Sequence, residues 1–322
     1  MDAVLYVRET VLKFYKRYEG ISAFAFKLIA GIFIFAWVGG IGYVQGNLKF
    51  LFDSALFLPF LLMMAVLFAV LPPVLANLLV ILAAALQLSA LPELMILVFA
   101  LLLCVIIFYG RMAPKKSFLV LGILIGFYFR IPAAVVIFAG LYAGMTSIIP
   151  VAAGTVIWHI KPVISDIAVQ LATNRAALPP AAEEFDIMQM PANFSDIYRM
   201  LFDGISADYT WLTQSFVFAL VIVAVYVISR FDFDRAKEMA IIAGGAVNII
   251  CSVVVYFILS RKIGFAGTAV SSAVSVLLMF PVRFLDSVLD YKNAERVQFE
   301  DEDNYYYVKI IPKMFLKKED ES

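Results

Sequence analysis

Charge is scarce in this sequence: Asp, Glu, Lys and Arg make up 16% of its 322 residues, where a soluble domain carries about a quarter. With 63% of the chain apolar, a soluble globule is excluded. There are two cysteines and one histidine. Cys104 and Cys251 lie inside apolar blocks, and His159 alone cannot build a Cys/His cage. Neither a disulfide framework nor a zinc site is expected, so no metal ligand is assigned. The P-loop, the dinucleotide glycine pattern, the nucleophile elbow, H-E-x-x-H and C-x-x-C are all missing. That removes the common nucleotide, hydrolase, metalloprotease and redox signatures. No catalytic residue, cofactor-binding residue or cofactor is assigned, and the chain is not expected to be an enzyme. Lys plus Arg equals Asp plus Glu at 25 each, so no basic field points to nucleic acid as a partner.

What the chain has instead is long apolar runs. Residues 28–45, 52–71, 74–91 and 94–109 read as four spans, with Pro72-Pro73 turning the chain between the second and third and Leu91-Pro92-Glu93 between the third and fourth. Runs of this kind are long enough to cross a hydrocarbon core of roughly 30 Å. Residues 117–160 form a further apolar stretch of 44 residues, interrupted by Arg130, Pro132 and Pro150. At 1.5 Å per residue that is about 66 Å of helix, roughly two crossings. A polar segment covers 161–214, and spans follow at 215–229, 238–260 and 264–282. The expected fold is all-α: a polytopic helical membrane protein of about eight spans, or ten short ones, or a re-entrant hairpin. The lipid bilayer is its first partner.

The basic residues decide the parity of the 44-residue stretch, because orientation follows Lys and Arg in short loops. With the N-terminus inside and an odd number of crossings, 18 basic residues fall inside and 6 outside, Arg130 being left uncounted. With two crossings the division is 13 to 11. The odd count is expected, as one crossing plus a re-entrant hairpin or as three short crossings, with breaks at Pro132 and Pro150. Both termini are then cytoplasmic, and the expected location is a bacterial plasma membrane.

Five regions follow. Residues 1–27 are read as a retained cytoplasmic helix, since Val4, Val7, Val11, Phe14 and Tyr18 recur at helical spacing among Arg8, Lys13, Lys16 and Arg17. Residues 28–160 form a first membrane bundle, 161–214 an extracytoplasmic helical segment, 215–290 a second bundle and 291–322 a cytoplasmic tail. In the outer segment a helix is expected from Ser195 to Gly204. The tail carries two β-prone runs around Asp301-Glu302-Asp303-Asn304, which reads as a small hairpin. Two strands alone are marginal in water, so the hairpin is expected either to pack against the N-terminal helix or to dock a protein partner.

Arg130, Gly140, Gly144 and Asn248 are the candidate substrate or packing residues. An Arg at the centre of a span costs at least about 2.5–3.5 kcal/mol. Arg130-Ile131-Pro132 therefore reads as a headgroup-level turn with a snorkelling guanidinium, or as a cation facing an anionic substrate. Gly140 and Gly144 form a G-x-x-x-G pair. Ala240, Gly244, Asn248 and Ser252 share one stripe, and Gly267, Ser271 and Ser275 another. Small residues four apart let membrane helices approach closely; broken helices of this kind also line transporter sites.

The run VQFEDEDNYYYVKIIPKM in the tail, with FYFRIPAAVVIFAGLYAGMTSIIPVAAG in the middle, resembles an uncharacterised polytopic membrane protein family of anaerobic Gram-positive bacteria. That resemblance implies location and fold and carries no activity. Ile131 to Val151, over about 20 residues, also resembles the autoinducer-exporter-type permeases, from whose pattern the polar insert that follows departs. Two functions are expected to compete: a permease-like transport component without its own ATPase, and a non-catalytic scaffold subunit of an envelope or secretion complex.

Overall fold

A computed structural model describes residues 10, 13, 17–39, 57–89, 91–176, 190–232, 235–259, 265–286, 295–301 and 304–310. The amphipathic stretch from Val4 to Tyr18 lies almost wholly outside these. Two compact units are present: residues 23–279, and a terminal unit of residues 1–22 with 280–322. In the terminal unit Glu295–Asp301 and Asn304–Ile310 pair as antiparallel strands, with Glu295 opposite Ile310 and Asp301 opposite Asn304.

The larger unit is helical throughout its described residues. Eleven helices, some reaching into the terminal unit, are described: α1 Glu19–Val38, α2 Phe57–Val70, α3 Pro73–Leu86, α4 Pro92–Met112, α5 Phe118–Tyr128, α6 Pro132–Phe138, α7 Ile148–Ala176, α8 Met190–Ala207, α9 Thr210–Ile228, α10 Ala236–Leu259 and α11 Phe265–Asp286. Six of the helical segments are long and apolar enough to cross a membrane: Glu19–Val38, Pro92–Met112, Met145–Asn174, Thr210–Ile228, Ala236–Val255 and Gly267–Asp286. The chain is thus built as a multi-pass helical membrane protein. Prolines set several starts, because a first-turn N–H has no acceptor within the helix and its loss costs no helical bond. Pro73 and Pro92 open α3 and α4, and Pro132 opens α6. α1 begins at Glu19, so Lys27 sits within the first long helix rather than ahead of it.

The 44-residue stretch divides into three. α5 spans 11 residues and α6 spans 7, extended by a π turn over Ala139–Ala143. At 1.5 Å per residue each arm is about 16–18 Å, short of a 30 Å core. They pack together as a hairpin, and α5 also packs along α7. The first break falls just ahead of Pro132, as expected. Phe129 and Arg130 form the turn, with Ile131 N donating to Gly126 O at 2.7 Å and Arg130 N to Phe127 O at 3.0 Å. This bond pair is a Schellman closure, and it holds Arg130 at φ 61°, where glycine is the usual occupant. The second break is not at Pro150. It lies at Gly144, φ 74°, with Pro150 in the first turn of α7, where a proline displaces no helical hydrogen bond. Nor does the helix stop where the polar segment begins. α7 runs through Lys161 and Pro162 to Ala176.

The helix expected from Ser195 to Gly204 extends further at both ends, from Met190 to Ala207. It packs on α4 and α7.

Two apolar cores result. One lies among α1 to α5, α7 and α8. The other surrounds α9, which packs against α6, α7 and α10.

Candidate functional site

On α7, Gly154 lets α5 come close: a Cβ there would stand 2.9 Å from Val120 O. That approach aims the stripe Ile157, Ile160, Lys161 and Ile164 at α1, α3, α4 and α5. The spacing is the i, i+3, i+4, i+7 of a buried helix face, with lysine where an apolar residue would ordinarily stand. These side chains line a cavity with Asn77, Val80, Ile81 and Ala84 of α3, Val98, Leu102 and Ile106 of α4, and Trp37 of α1. Counting along α3, α4 and α7, the lining covers about 10–12 Å of helix. The interior volume is about 40 Å³, room for a few water-sized guests.

Two polar groups interrupt the apolar wall. Lys161 Nζ donates to Trp37 O at 2.8 Å and lies 4.6 Å from the Trp37 ring centre. Trp37 is in the last turn of α1, where a cation meets the negative end of the helix dipole as well as the ring face. Asn77, one turn into α3, donates from Nδ2 to Ser117 O at 3.4 Å. A row of rings starts at Trp37, on the cavity wall. Trp37 stacks on Trp158 at 5.4 Å, Trp158 on Phe127 at 5.2 Å, and Phe127 meets Phe218 at 5.9 Å. His159 stands edge-on to Phe127 and hydrogen-bonds Gln214 Oε1 at 2.8 Å. The row therefore ties α1, α5 and α7 to α9.

The residues singled out from sequence lie elsewhere. Arg130 is exposed at the tip of the α5–α6 hairpin. Gly140 belongs to the α9 core, where a Cβ would come within 2.8 Å of Val225 Cβ. Gly144 makes the break before α7, and Lys116 closes that break by donating to Ala143 O and to Thr146 Oγ1. Asn248 is 5% exposed and donates from Nδ2 to Ser272 Oγ at 2.7 Å, joining α10 to α11. The partner is Ser272, one residue from the expected stripe, and Ser275 lies buried with it. Gly140 and Gly244 meet at Val225 of α9 and Asn248 faces α11, whereas Arg130 is at the other end of α6. Lys161 and Asn77 were passed over. The available signal was the apolar stripe on either side of Lys161, which continues the helix past the first polar residue. Among the described residues, no cluster of His, Cys, Asp and Glu is placed to hold a metal.

Comparison with protein-family models, with curated proteins and with solved structures finds no match to this chain.

Proposed function

We propose that this protein is a permease-like transport component of a bacterial plasma membrane, with no ATPase of its own, both termini cytoplasmic and segment 161–214 outside. The observation carrying this reading is the cavity among α1, α3, α4, α5 and α7, apolar along its walls with Asn77 and Lys161 at its polar positions. Binding sites in membrane bundles combine an apolar wall with a few placed polar groups, and a lysine set into an apolar helix face, held by Trp37 O as Lys161 is, suits an anionic or polar guest better than a lipid contact. At about 40 Å³ the cavity is closed to larger guests, so passage requires the helices to part. The α5–α6 hairpin, broken at Arg130 and at Gly144 beside α7, is the element whose discontinuities supply hinges. With the two short helices α2 and α3 counted as crossings beside the long ones, the chain makes about eight spans. The driving force is a separate ATPase or an ion gradient. For the former, Arg230 to Glu238 is the coupling loop.

The second reading is a scaffold subunit of an envelope or secretion complex, and the strand pair of the tail favours it. By sequence, Tyr305, Tyr306, Tyr307 and Ile310 make this tail rich in apolar residues, while two strands alone are marginal in water. Purification in mild detergent with quantitative mass spectrometry separates the readings. A stoichiometric nucleotide-hydrolysing subunit supports transport. A stoichiometric envelope-assembly protein that is lost on truncation after Lys292, while the helices remain stable, supports the scaffold and contradicts the permease.

A further inference from the structure

α8 presents three different environments around its circumference. Ile197 and Leu201 are buried toward α4 and α7, and a Cβ on Gly204 would stand 2.6 Å from Val163 Cγ1, so this face is fixed against the bundle. About 100° further round, at one residue's rotation, Tyr198 and Phe202 stand 57% and 58% exposed, their rings stacked 6.3 Å apart. Another such step brings Arg199 and Asp203, both exposed, with exposed Asp196 beyond them. The order is core, aromatic, charged. A helix lying on water alone has no use for the middle sector, since two large rings left in water forgo the gain of burying them.

The aromatic sector also has a continuation. Asp208 accepts from Thr210 N at 2.9 Å and so starts α9 directly after α8. Along α9 the outward residues are Tyr209, Leu212 and Phe216, at 56%, 52% and 64% exposure. α9 is long and apolar enough to cross a bilayer, and its outward face is covered by lipid in that setting. Phe202 precedes the first residue of that span by eight positions, and Tyr and other aromatic side chains next to a span sit at the boundary between headgroups and acyl chains.

We propose that α8 is an interfacial helix, with Tyr198 and Phe202 inserted into the lipid boundary and Asp196, Arg199 and Asp203 turned to water. The occupant of the aromatic face is lipid, not a protein partner. This rests on the membrane setting and is independent of whether the bundle transports anything. The helix, packed on α7 through Gly204 and Val163 and followed directly by α9, then holds both at a fixed depth.

The test is depth by spin labelling in nanodiscs of phosphatidylcholine and phosphatidylglycerol. Cys104 and Cys251 are replaced by alanine, and single cysteines are introduced as Tyr198→Cys, Phe202→Cys, Asp196→Cys and Asp203→Cys. All these positions are exposed, so the labels leave the packing on α7 intact. The expected result is strong collision with oxygen and several-fold weaker collision with a water-soluble nickel chelate at 198 and 202 than at 196 and 203. Equal nickel access at all positions places the aromatic face in water and overturns the proposal. Low access to both probes at 198 and 202 places protein over it, and overturns the proposal equally.

Discussion

The two cores of the larger unit are built from similar residues to different effect. Around α9 the facing positions are small: Gly140 and Gly244 both abut Val225, and Val221, Ile222 and Val225 are fully buried. Backbones close up where a Cβ is absent, which is the main route to association where lipid and protein are equally apolar. Around α3 and α4 the facing positions are Val80, Ile81, Val98, Leu102 and Ile106. No glycine lines this cavity, and its branched side chains leave a void beside Ala84. In the proposed permease the first region is the frame and the second the part that opens.

Gly244→Leu breaks this contrast most severely, because a Cβ there would already stand 2.5 Å from Val225 Cγ2 and 3.1 Å from Ile137 Cγ1. Neither neighbour is a flexible side-chain end. The expected cost is about 3 kcal/mol, read as a large drop in melting temperature in detergent or as loss of the monodisperse peak. The same alanine-to-leucine change made in each region sharpens the comparison. Ala240→Leu overpacks a site with no exposure and is expected to cost about 1–3 kcal/mol, whereas Ala84→Leu grows into the cavity and stays within about 1 kcal/mol of the parent. Equal losses at both positions would remove the distinction. Smaller still is the Asn248–Ser272 bond. A double-mutant cycle with Asn248→Ala and Ser272→Ala should give a coupling of about 0.6–1.7 kcal/mol, as for other hydrogen bonds between membrane helices. The smallest effect is at Arg130. Relief of its positive φ should make Arg130→Gly more stable by up to about 1 kcal/mol, and Arg130→Lys should be folded and unchanged in function if the guanidinium only snorkels. A folded but inactive lysine variant would return Arg130 to the substrate path.

Much of the helical layout was legible because proline and charge leave local marks. Pro72-Pro73, Pro92 and Pro132 each open a helix close to where the sequence places a turn, and of the small-residue stripe Gly244 abuts Val225 while Asn248 bonds Ser272 on a different helix. The second break was misplaced because a proline in the first turn of a helix looks, in sequence, like a proline that ends one. Only the left-handed φ of Gly144 separates the two. The end of α7 was misplaced because Lys161 was read as the start of water. In the folded chain its ammonium is matched by the end of α1 and by an indole, more than a hundred residues away in sequence. For the same reason the cavity was not legible at all: its wall comes from five helices, and no local spacing reports a void.

The frame-and-opening account is tested most directly by two-sided cysteine access. In a background with Cys104 and Cys251 replaced by alanine, Val80→Cys lines the cavity and Val221→Cys lies in the α9 core. A membrane-impermeant thiol reagent is applied to intact cells and, separately, to inside-out vesicles. The account predicts that Val80→Cys reacts from both sides, slowly, while Val221→Cys reacts from neither. Protection of Val80→Cys from both sides would contradict it, leaving a static bundle and the scaffold reading.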